Sequence, residues 1–99
     1  MADRVVRFTE QFFDRLGTLL PEERGAEGRP SITDFLLLGL PAIRDRLATA
    51  YERVTMTTAD PDVCVYVGAG ILIARVAMFV ALDVTGSVEA FWIEFDEPS

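Results

Sequence analysis

Ninety-nine residues suffice for one domain, 1–99, built on a single core, and leave no space for a second. A hydrophobic share of 51% with 25% charged residues describes a folded chain and excludes a disordered one. Sixteen acids against nine bases give a net charge of −7, which argues against a nucleic-acid partner, because a phosphate backbone repels such a surface. Every base is Arg; there is no Lys and no His. Cys64 is the only cysteine, so no internal disulfide can form and a reducing cytoplasm is the expected location. The opening "MADRVVRFTEQFF" carries charges where a secretory signal needs an apolar core.

In chain order, "RVVRFT" (4–9) predicts a short strand with Val6 and Phe8 on one side, Val5 and Arg7 on the other. Thr9 suits a helix N-cap, and Phe12, Phe13, Leu16, Leu19 and Leu20 follow helical spacing over residues 10–20. "PEERGAEGRP" (21–30) reads as a polar loop. Ser31 and Asp34 have capping-box spacing, and Leu36, Leu40, Ile43, Leu47, Ala50 and Val54 then form a helical stripe. Gly39 and Pro41 interrupt it, which predicts a kink or two short helices. "TMTTADPD" (55–62) is a loop or a frayed edge strand.

The last third changes period. "VCVYV" (63–67), "ILIARVAMFVALD" (71–83) and "VEAFWIEF" (88–95) are β-rich runs separated by "GAG" and "VTGS", which predicts an antiparallel meander with the first strand free to join its edge. Residues 63–82 are long and apolar enough to raise a membrane span, but Gly68, Gly70 and the β-branched content favour strands, so no membrane partner is expected. The expected fold is α+β, in the order β-α-α-β-β-β, with an antiparallel sheet and two helices on one face.

Period-two alternation then places Arg75. Leu72, Ala74, Val76, Met78, Val80, Leu82 and Val84 form a continuous apolar face expected to pack under the helices, whereas Arg75 shares the opposite face with Ile71, Ile73, Ala77, Phe79, Ala81 and Asp83. In the closing strand Phe91, Ile93 and Phe95 are expected in the core, and Ala90, Trp92 and Glu94 outside, where Glu94 is a candidate cross-strand partner of Arg75. Arg75, Ile73, Phe79, Trp92 and Glu94 therefore make up the candidate partner surface, unless loops or Tyr51 fold over it. A homodimer is one assembly such a face would serve.

Without His, nucleophile–His and metal–His sites are excluded. Asp60 and Asp62, with Glu22 or Glu23, lack calcium-loop spacing and read as turn residues, and "GAGI" lacks the helix of a phosphate loop; no metal and no cofactor is expected. Cys64 reads as a small core residue. A His-free ribonuclease would have to rely on Arg75, Tyr66 and Arg53, with Arg29 and Arg44 more distant.

The opening "VVRFTEQFFDRL" resembles the first strand and helix of the RelE/ParE superfamily of bacterial toxin–antitoxin toxins. "ILIARVAMFVALDVTGSVEAFWIEF" is similar to the same superfamily's hairpin, with Arg75 in the place of its strand arginine. The resemblance implies a small cytoplasmic toxin-like domain held by an antitoxin, with mRNA cleavage in one branch and gyrase inhibition in the other. The mRNA-cleaving branch carries basic residues near its C-terminus, where this chain has Glu94, Asp96 and Glu97. Action through protein contacts, with catalysis lost, is accordingly the leading expectation. The alternatives are a small acidic immunity-type protein that neutralises a basic partner, and an mRNA-cleaving ribonuclease.

Overall fold

The computed structural model describes residues 3–20, 31–68 and 75–96. A five-stranded sheet runs in the order β1-β5-β4-β3-β2, formed by Val6–Phe8, Thr55–Thr57, Cys64–Gly68, Arg75–Leu82 and Val88–Asp96 as β1 to β5. Strands β3 to β5 pair antiparallel, as the hairpin spacing predicted, and Thr55–Thr57, expected as a loop or frayed edge strand, adds antiparallel to β3 as the edge strand β2. β1 instead lies parallel to β5, making the sheet mixed. The parallel arrangement follows from the connection: the chain leaves β1 into a helix and returns through the whole meander before β5 takes its place beside it.

Helix α1 spans Glu10–Leu19, with the Thr9 hydroxyl accepting from the Phe12 amide at 3.2 Å. Its buried face is Phe12, Leu16 and, just beyond, Leu20, while Phe13 turns outward. The Ser31 capping box forms as expected: its hydroxyl accepts from Asp34 N–H at 3.1 Å and the Asp34 carboxylate accepts from Ser31 N–H at 2.9 Å. A helical turn at Ile32–Asp34 (α2) leads through a π turn at Phe35–Gly39 into α3, Leu40–Val54.

The π turn is how the chain absorbs Pro41. A proline inside a helix removes one donor and crowds the carbonyl four residues back. Here the Leu40 amide bonds the Phe35 carbonyl, five residues back, and Pro41 falls in the first turn of α3, where its missing N–H costs no helical bond. The inserted residue rotates everything upstream, so Phe35 is buried where the simple stripe places Leu36, which only packs against the core's margin. At the other end Ala50 is non-helical (φ −142°, ψ 35°), and Tyr51 takes the core position expected of Ala50. Tyr51 therefore lies on the core face of α3 and does not cover the sheet's other face. Burial, then its hydrogen bond with the Cys64 thiol, pushes its phenol up to about 12.

In β4, Val76, Met78 and Val80 are fully buried beneath the helices, as alternation predicted, but Leu82 at the strand end and Val84 in the turn beyond it are exposed, because the strand stops at Leu82; Leu72 and Ala74 lie outside the described residues. In β5 the alternation breaks. Trp92 pairs with Phe79 and Ala90 with Val80, so Phe91 is a bulge residue between them. Ala90 is consequently buried and Phe91 is not part of the core cluster, reversing the expected order, while Ile93 and Phe95 face inward as expected. The Asp83–Ser87 turn is held by the Asp83 carboxylate, which accepts from Thr85 and Ser87 amides, and by Gly86 at φ +84°. The Asp60 carboxylate accepts from the Asp62 amide at 2.9 Å, a turn role for that acidic stretch. The window 63–82 is divided between β3 and β4, and no described helix is long and apolar enough to cross a membrane.

Candidate functional site

With the described helices on one side of the sheet, the other side presents a row that the register fixes. Trp92 lies opposite Phe79, Phe79 opposite Val65, and Val65 opposite Met56. Directly opposite residues on one face bring their Cβ atoms to roughly 4.5–5.5 Å, so these side chains form one apolar band across β5, β4, β3 and β2. Ala77 and Val67 extend it in the next row, with Glu94 at its β5 end. Met56 and Val67 remain 56% and 39% exposed. Isolated exposed apolar residues are ordinary; a continuous band of them on a sheet face is the mark of a contact surface.

The band is rigidly bordered at β5. β1 pairs only with Val88–Ala90, and α1 then runs beside the remainder of β5. Arg15 of α1 reaches round that edge. Its guanidinium lies 4.7 Å from the Trp92 ring centre, donates to the Glu94 carboxylate at 2.7 Å and to the Ile93 carbonyl at 3.3 Å. The Trp92 indole N–H donates to the other Glu94 oxygen at 2.8 Å. These contacts, the indole first and Arg15 second, hold the Glu94 carboxyl below the usual carboxylate range. Asp83 is likewise lowered, chiefly by the Thr85 hydroxyl, and forms an ion pair with Arg7. Glu94 and Asp83 are therefore each paired with an arginine of the same molecule.

Of the predicted surface, Phe79, Trp92 and Glu94 come together as a unit. Arg75 is on the same face but farther along β4, where the register sets it opposite Asp96. Glu94 stands opposite Ala77 and is held by Arg15, so it is not the cross-strand partner of Arg75. Ile73 lies outside the described residues. The ribonuclease set is divided by the sheet: Tyr66 is buried on the helix side, whereas Arg75 is exposed on the other. Tyr66 and Arg53 do share one feature, an open depression of about 370 Å³ lined also by Arg46, Val54, Met56, Val67 and Gly68. Arg46 donates to the Tyr66 hydroxyl at 2.7 Å.

Sequence reasoning missed Arg15 and Arg46. Arg46 had a usable signal, since it lies seven residues before Arg53 and a helix brings that spacing to one face. Arg15 had none, because its role depends on β1 ending early along β5. No known protein family, curated protein or solved structure matches this chain.

Proposed function

We propose that this chain is a toxin-like domain of the RelE/ParE kind, acting through protein contacts made by the face of Trp92, Phe79, Val65 and Met56. The observation that carries the reading is the apolar row itself, set by strand register and framed by Arg15, Trp92 and Glu94. Its occupant is a partner protein offering an apolar segment, antitoxin or cellular target. Charge pairing supports this over capture of a basic partner, because Glu94 and Asp83 at the rim already hold Arg15 and Arg7. The order of elements and the arginine-bearing β4–β5 hairpin agree with the resemblance, and in this reading the cytoplasm of a bacterium is where the protein acts.

Induced expression in a bacterial host without any antitoxin is the test. Growth arrest is the expected result. Unchanged growth with soluble protein accumulating would remove the toxin reading. Rescue of cells from a basic toxin by this chain would establish the immunity-type alternative instead.

A further inference from the structure

A second region of the molecule is organised for a different ligand. Among the described residues, Arg4 is paired with Glu52, Arg7 with Asp83 and Arg15 with Glu94. Among the described residues Arg46 and Arg53, like the exposed Arg44, carry no carboxylate partner, although the chain holds sixteen acids to nine bases. Both line the depression where α3 runs into β2 and the end of β3 extends past Thr55, the last β2 residue to pair with it. Two guanidinium groups left facing one concavity repel each other, and an acid-rich sequence had ample means to neutralise them. An anion supplied from outside would do so.

The floor of the depression is built for the same purpose. The Tyr66 side chain is 2% exposed and its hydroxyl accepts from Arg46, which leaves its own proton without an acceptor among the described residues. Gly68 makes room for that hydroxyl: a Cβ there would stand 2.4 Å from it. Val54, Met56 and Val67 supply an apolar wall beside the charged groups. Arg53 also sits in the last turn of α3, where a cation offsets the helix's partial negative charge. That contribution does not extend to Arg46, two turns earlier.

We propose that Arg46, Arg53 and the Tyr66 hydroxyl form a binding site for the phosphoryl group of a small organic ligand, whose apolar part rests against Val54, Met56 and Val67. Planar guanidinium donors match phosphate oxygens in pairs, and the tyrosine adds a neutral donor from below. The net charge of −7 opposes a long polyanion but leaves a single phosphoryl group within reach of two local cations. This site shares Met56 and Val67 with the far edge of the contact band, but its polar groups, Arg46, Arg53 and Tyr66, are separate from the Trp92 end.

Titration of the full chain with phenyl phosphate, followed by calorimetry and by amide NMR shifts, tests the site. Saturable binding with shifts at Tyr66 and Gly68 is expected. Arg53→Gln or Arg46→Gln should weaken it roughly tenfold or more, since each removes a charge-assisted contact. Tyr66→Phe should weaken it less, and Arg44→Gln, on the same helix but outside the depression, should leave it unchanged. Trp92→Glu should also leave it unchanged, which separates this site from the protein-contact face. Absence of saturation overturns the proposal, as does equal binding of benzoate, or an unchanged affinity in both Arg46→Gln and Arg53→Gln. Tighter binding of a ten-nucleotide single strand than of phenyl phosphate would overturn the small-ligand assignment in favour of a nucleic acid.

Discussion

The two faces of the sheet are built from the same strands and have opposite fates. On the helix side, Val76, Met78, Val80, Val88, Ala90 and Ile93 are fully buried under α1 and α3, and no side-chain nitrogen or oxygen is left buried without a hydrogen-bond partner among the described residues. On the other side, Phe79, Trp92, Val65 and Met56 are comparably apolar but keep part of their surface in water. Hydrophobicity alone does not distinguish a core residue from a contact residue. The distinction comes from which face the chain's own helices occupy, and in β4 it falls between neighbours such as Met78 and Phe79.

That contrast can be broken most forcefully in β4. Met78→Ala should cost roughly 2–5 kcal/mol, the cavity cost of truncating a buried side chain, whereas Phe79→Ala should cost about 1 kcal/mol or less, the scale of a cross-strand pair. Urea unfolding of both variants measures the difference, and equal losses would mean that Phe79 is also core. Next in size is the bulge. Ala90→Leu places three extra carbons in a fully buried position and should cost roughly 1–3 kcal/mol by overpacking. Phe91→Leu, outside the core cluster, should be close to neutral. The reverse ranking would restore the uninterrupted alternation.

The smallest effect concerns the border of the open face. The Glu94 carboxyl titrates below its ordinary value because Trp92 and Arg15 favour its charged form. A depressed folded-state pKa contributes stability that is present above the unfolded value, about 4.3, and is lost as pH falls through the folded one. Trp92 is the sole tryptophan and donates directly to this carboxylate. Its fluorescence should therefore change on acidification with a midpoint below that of a free glutamate, and Glu94→Gln should abolish the transition. A midpoint at or above about 4.3 would show that the latch does not hold in solution.

Much of this architecture was legible in the residues. Thr9 and Ser31 announced the helix starts because side-chain caps are local chemistry, and the even positions of β4 announced the core because a strand's period is two. The failures share a cause: a single inserted residue shifts a periodic pattern, and nothing in the pattern marks the insertion. The π turn before Pro41 replaced Leu36 by Phe35, and the β5 bulge exchanged Phe91 for Ala90. Proline flagged the first irregularity without giving its form; nothing flagged the second. For the contact face, Phe79, Trp92 and Glu94 followed from alternation. Val65, Met56 and Arg15 required the register between strands that are distant in sequence, and the depression of Arg46, Arg53 and Tyr66 required knowing how α3 crosses the end of β3.

The sheet face opposite the described helices is the proposed working surface, and growth on induced expression of Phe79→Asp beside the unaltered chain tests it most directly, with circular dichroism showing that both are folded. Arrest by the unaltered chain and normal growth with Phe79→Asp at equal protein level are the expected results. Arrest of equal depth by a folded Phe79→Asp would contradict that assignment.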